Sequence, residues 1–222
     1  MRRPSRKDYD RIIKKERATA KLSDKTLYDL CRKYPKHKKR AHIHAKIWLI
    51  ARAMATGIER QIKSDKTRTG SALAKLEQHI ERNSSKIENI FRELCRITGT
   101  LDEDNLRKIV SYHGRFVQLL SPIVKKSKAG HPVGVPTFAA KYMHFHNRLV
   151  PIYDNDTKGK LTKRYPWKKR KELLNSEMPE NANQDYFQFV KRLQLLASEL
   201  NLNLRGRCIR DLDHYLRVLH CK

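Results

Sequence analysis

Apolar side chains recur along this chain at steps of three and four, the period of an α-helix, and the two-residue alternation of a strand is scarce. From Ile43 the series Ile47, Ile50, Met54 and Ile58 predicts one long amphipathic helix that ends near Ile62. Ser71 opens a second series through Leu73, Leu76, Ile80, Ile87, Ile90 and Leu94, with a break expected at Asn83-Ser-Ser and an end at Thr98-Gly-Thr. Asp102 or Thr100 can cap a third, in which Leu106, Ile109, Val110, Phe116, Val117 and Leu120 share a face that Pro122 kinks or ends. A shorter helix is predicted from about Thr137 to His146, and two more carry Phe187 to Leu200 and Asp211 to Leu219. The polar stretch from Asn155 to Trp167 reads as a surface connection. This pattern predicts an all-α fold of about seven to nine helices, with residues 21–222 as a single domain. Residues 1–20 are rich in charge and poor in apolar side chains, and fit either a flexible basic N-terminal arm or a solvated helix.

Charge narrows the partner. The chain has 50 Lys+Arg against 23 Asp+Glu, a formal charge of +27, which self-repels unless a polyanion neutralises it. Nucleic acid is the first expectation and an anionic membrane the second. No apolar run approaches the ~20 residues needed to span a bilayer. The N-terminus leads into Asp8 and Asp10 instead of an apolar stretch, so a cytoplasmic protein is expected. Cys31, Cys95, Cys208 and Cys221 form no C-x-x-C pair and read as reduced thiols. His42/His44 and His144/His146 are i, i+2 pairs, which on a helix point about 200° apart and cannot share an ion. Neither a metal nor another cofactor is expected.

The segment from Lys125 to Asp154 carries the candidate chemistry. Gly130, Pro132, Gly134 and Pro136 make a turn-rich connector between a helix ending near Lys128 and one starting near Thr137. Gly134 can take positive φ, and the amides of Gly130, Gly134, Val135 and Thr137 can converge on one phosphate, with Lys125 and Lys128 beside them. The same spacing suits an ordinary interhelical loop. Lys141 lies on the following helix, as a phosphate contact, a solvated amine or a nucleophile. Asp154 lies just beyond it, as a helix N-cap or as a reacting carboxylate.

Gly134-Val-Pro-Thr137, the helix after it and Val150-Pro-Ile-Tyr-Asp154 together resemble the helix-hairpin-helix DNA glycosylase superfamily, with its 8-oxoguanine-glycosylase-like fold. In that family a Gly-Val-Gly-Thr hairpin precedes a Pro-x-x-Asp or Val-Pro-Val-Asp segment whose Asp is catalytic. The likeness covers about a tenth of the chain, and two positions depart from it. Pro136 replaces a glycine and removes an N–H. Phe138 stands where bifunctional members carry a catalytic Lys, and Lys141 is the nearest amine along the same helix.

The resemblance implies a compact all-α monomer that binds double-stranded DNA, flips a damaged or modified base and cleaves its N-glycosidic bond. Asp154 would stabilise the oxocarbenium character that develops at C1′. Lys141 would supply an amine for strand cleavage. Tyr165 and Trp167 are expected against nucleic acid, and His144, His146 and Tyr153 around the substrate. The role would be base-excision repair or defence against modified phage DNA. The alternative is a non-catalytic DNA- or RNA-binding helix-hairpin-helix protein.

Overall fold

The computed structural model describes residues 5–19, 21–63, 71–128, 130–166 and 177–219. Among these the fold is all-α. Its ten helices are α1 (Arg6–Thr19), α2 (Lys21–Lys33), α3 (Arg40–Ala53), α4 (Ala72–Arg82), α5 (Ser84–Cys95), α6 (Glu103–Leu120), α7 (Val135–His146), α8 (Asn155–Arg164), α9 (Gln184–Glu199) and α10 (Gly206–Val218). Extended pairing among the described residues is limited to two isolated bridges, Ile62 with Val124 and Lys126 with Pro132. No described helix is long and apolar enough to cross a membrane.

The helices share one hydrophobic core, and α7 runs through its middle. Val135, Phe138, Ala139, Ala140, Tyr142 and Met143 are all fully buried, because α7 is apolar on every side and packs against α2, α3, α5 and α6 at once. Polar groups on α7 are therefore held away from solvent: Lys141 and His144 find partners inside the protein, whereas Tyr142 Oη and His146 Nε2 have none among the described residues.

Several elements differ from the sequence expectation. Helix α3 stops at Ala53, since Ala55 and Gly57 take φ of 46° and 66°. Ile58 and Ile62 stay in the core through a 3-10 turn (Ile58–Gln61) and the bridge to Val124 instead of a continued helix. Helix α6 ends at Leu120, where Pro122 enters a second 3-10 turn (Ser121–Ile123), so no helix reaches Lys128. The expected surface connection after Asp154 is α8, which buries only Thr157 and Leu161. Of the two readings left open for the N-terminal residues, 6–19 form the helix, and it is packed instead of solvated: Tyr9 and Ile13 are buried, and the Tyr9 ring meets Tyr215 of α10 edge-on at 5.4 Å. The break at Asn83 and the cap at Asp102, whose side chain accepts from the Asn105 N–H at 2.9 Å, fall where the pattern puts them.

Gly114, in the middle of α6, lets the chain entering α9 lie directly on the helix. A Cβ there would stand 1.7 Å from the Asn181 carbonyl oxygen and 3.2 Å from the Ala182 Cα. Both are backbone atoms, so neither can rotate away. Gly114→Ala gains up to about 1 kcal/mol of helix propensity, but the overpacking costs about 1–3 kcal/mol and decides the sign. The variant is expected to unfold at lower urea concentration than wild type; an equal or higher midpoint would contradict this packing.

Candidate functional site

The connector after α6 is pinned before it turns. Lys63 N–H donates to the Ile123 carbonyl at 2.9 Å and Lys125 N–H to the Gln61 carbonyl at 2.7 Å. Ser127 N–H to His131 O at 2.8 Å and Val133 N–H to Lys125 O at 3.1 Å then close a tight hairpin. Gly130 and Gly134 hold φ of 79° and 73°, a region that other residues enter with strain. Gly134 begins α7, with its carbonyl accepting from Phe138 N–H at 3.1 Å.

The N–H groups of Gly134, Val135 and Thr137 have no acceptor among the described residues. Val135 is fully buried, so Gly134 and Thr137 are the open donors at this helix N-terminus, the arrangement that suits an anion. Pro136 contributes none, and its carbonyl accepts from His113 Nε2 at 3.0 Å, which ties the start of α7 to α6. Gly130, Lys125 and Lys128 are exposed around this turn, and Lys125 Nζ donates to the Arg60 carbonyl at 3.2 Å.

Two turns along α7, the Lys141 amine is buried and donates to the Met54 carbonyl at 2.8 Å. Its nearest anion is Asp154 Oδ2, at 3.7 Å. Asp154 also caps α8, its Oδ1 accepting from Thr157 N–H at 3.0 Å and from Thr157 Oγ1 at 3.1 Å, while Arg217 Nη2 approaches Oδ2 at 3.3 Å. Burial alone would raise the Asp154 carboxyl, but the Thr157 N–H, Lys141 and Arg217 outweigh it and hold the group below the ordinary carboxylate range. Burial lowers the Lys141 amine below the usual lysine value, against the opposing pull of Asp154. The cap and the ionic role are therefore one arrangement, with one oxygen serving each.

The loop from Asn147 to Asp154 is fixed along its length. Asn147 Nδ2 donates to Leu94 O at 2.7 Å and Ile97 O at 3.0 Å, and Tyr186 Oη donates to Pro151 O at 3.0 Å. His144 Nδ1 donates to Val150 O at 2.7 Å, which leaves Nε2 to accept from the Tyr28 hydroxyl at 2.5 Å. Burial brings the His144 pKa down to about 3, so the neutral ring acts as a strut under the loop.

Beyond Asp154 the charges continue. Arg217 Nε meets Asp213 Oδ2 at 3.1 Å, Asp213 also pairs with Arg210, and Arg210 reaches Asp24 of α2 at 2.6 Å. Arg210 and Asp24 line a cavity of about 430 Å³ together with Tyr28 and Arg148, whereas neither Asp154 nor Lys141 lines it.

Several expected site residues are placed elsewhere. Tyr165 is buried, with its hydroxyl accepting from Arg164 Nε at 3.0 Å and its carbonyl from Arg192 Nε at 2.9 Å, so its ring is not a nucleic-acid contact. Tyr153 packs edge-on against Tyr186 at 5.7 Å and Phe189 at 5.2 Å, inside the core. His144 is the strut just described, and the His146 ring lies among His37, Phe91 and Tyr142; none of these three side chains lines the cavity beside Arg210. Trp167 lies outside the described residues.

Arg217, Thr157 and the Met54 carbonyl complete the site without having been singled out from sequence. Thr157 carried a readable signal in the Asp-x-x-Thr cap spacing, and Arg217 in its i, i+4 spacing from Asp213. Asp154→Ala is expected to destabilise by about 1–2 kcal/mol through the lost cap alone. Because the folded-state pKa is depressed, that contribution is complete above the ordinary Asp value of about 3.9 and is lost as pH falls through the folded pKa. Denaturation at neutral and acid pH checks this: the gap between wild type and variant should narrow on acidification, and a gap constant with pH would contradict it. No family model, curated protein or solved structure matches this chain.

Proposed function

We propose that the protein is a DNA glycosylase that releases a damaged or modified base after flipping it from the duplex. The observation that carries the reading is the Lys141–Asp154 pair: a carboxylate held ionised beside a buried amine at 3.7 Å, just past the helix that leaves the Gly130–Gly134 hairpin. Cleaving an N-glycosidic bond develops positive charge at the sugar C1′, and an ionised carboxylate near that carbon stabilises it and can orient a water. The open N–H groups of Gly134 and Thr137 suit a backbone phosphate, and the charge of +27 suits the rest of the strand. Excision serves either base-excision repair or defence against modified foreign DNA, and both require this chemistry.

Lys141 acts in this reading as a positioning residue. Its side chain is only 4% exposed and its amine is engaged by Met54 O, which suits charge balance at Asp154 better than attack on a sugar. Base release without strand cleavage is the activity proposed. A non-catalytic DNA- or RNA-binding role is the second reading, favoured by one observation: both Asp154 oxygens already have partners in Thr157, Lys141 and Arg217.

Asp154→Asn separates the two. The variant is expected to bind DNA as wild type does and to generate no alkali-labile abasic sites on a panel of damaged and hypermodified substrates, while wild type generates them on at least one. Borohydride should trap no covalent complex with either protein. Excision by Asp154→Asn at the wild-type rate, or tight binding by wild type with no base released from any substrate, would overturn the catalytic reading.

A further inference from the structure

Trp48 sits on the outer face of α3 with 44% of its surface exposed, and among the described large apolar side chains only Met178 is as open. Its neighbours along the outer face of α3 are polar instead of apolar, and one of them is a cation. Arg52, one turn on, places its guanidinium 5.6 Å from the indole centroid, and the exposed His44 lies one turn back. A lone aromatic ring beside a cation is a poor apolar docking face, since it offers no contiguous apolar area. It suits a ligand that has both a π-face and negative charge.

A run of contacts links this ring to the hairpin. Arg52 Nε pairs with Glu59 Oε1 at 3.2 Å, Glu59 lies in the turn with Arg60 and Gln61, and the Arg60 carbonyl accepts from Lys125 Nζ. Gln61 in turn lies against Gly134. On the other side, the exposed Lys36, Lys38, Lys39 and Arg40 lead into α3. Lys38 and Lys39 before α3, and Arg60 and Lys125 near the hairpin, have no carboxylate partner among the described residues, whereas Arg40 and His44 face Glu77 and Arg52 faces Glu59.

We propose that Trp48 is a stacking platform for an unpaired base of a bound nucleic-acid strand whose phosphates lie against Arg60 and Lys125. This rests on the nucleic-acid part of the function proposed above and on none of its chemistry. Stacking is tolerant of base identity, because every base has a π-face, and Arg52 adds its own cation–π contact.

The chain has two tryptophans, so Trp167→Phe leaves Trp48 as the sole indole fluorophore. The full-length variant is titrated with a short mixed-sequence single-stranded DNA, with RNA of the same sequence, and with heparin, a polyanion without bases. Trp48 emission should fall on saturation with an oligonucleotide and not with heparin, and the strand that quenches more deeply identifies DNA or RNA as the partner. Trp48→Ala should weaken oligonucleotide binding about 5- to 150-fold, the range of one stacked base, and leave heparin affinity unchanged. Trp48→Phe should recover most of the loss and controls for folding. Unchanged emission at saturation, equal losses for heparin and oligonucleotide, or no binding of either strand by the wild-type chain would overturn the proposal. Quenching without base release from any substrate would leave it standing while the glycosylase reading falls.

Discussion

One carboxylate joins four separate parts of this chain. Asp154 caps α8, faces Lys141 of α7 and receives Arg217 of α10, and through Lys141 it is tied to the Met54 carbonyl at the end of α3. Two of these partners are cations, and the amine is buried. A charge taken from water in that way is tolerated only when it is paired and hydrogen-bonded. The positions of the α3 terminus, the 147–154 loop and the last helix are thereby coupled to whether Asp154 stays ionised.

The surrounding fold reads as support for that coupling. Helix α7 is apolar on all sides and cannot shed its polar residues to solvent, so Lys141 and His144 each take a fixed inward partner. The struts on the loop come from four elements: Leu94 of α5, Ile97 after it, His144 of α7 and Tyr186 of α9. Asp154 gains a defined position because so many packed elements hold its loop. The alternating chain Lys141, Asp154, Arg217, Asp213, Arg210 and Asp24 carries the same compensation from α7 to α2. Within a chain of large positive charge, it concentrates several of the scarce acidic residues where they neutralise buried cations.

Much of the architecture was legible in the sequence because core positions repeat with the helical period. The α4–α5 break and the cap at Asp102 were marked by residues whose side chains bond locally. The misreadings arose where an apolar period and the backbone disagree. Ile58 and Ile62 continue the α3 series in spacing, yet the positive φ at Ala55 and Gly57 ends the helix first. Helix α8 was missed for the opposite reason: Thr157 and Leu161 make too narrow an apolar stripe to register, although Asp156 and Lys160 stand at i, i+4 and pair at 2.9 Å.

The site was legible only where its parts are close in sequence. Lys141 and Asp154 fall within one short helix–loop segment, which brings them to 3.7 Å of each other. Arg217 and the Met54 carbonyl come from distant parts of the chain and leave no local pattern pointing to Asp154. Tyr165 was misjudged because its basic neighbours suggested solvent, whereas Arg164 and Arg192 bond to it and cover a buried ring. The most direct test of the coupling is a carbon-13 NMR titration of the Asp154 carboxyl in the DNA-free protein, repeated with Lys141→Met. The account predicts an Asp154 pKa below the ordinary aspartate value in wild type and a rise in the variant; a wild-type value at or above the ordinary one, or no change on removing the amine, would contradict it.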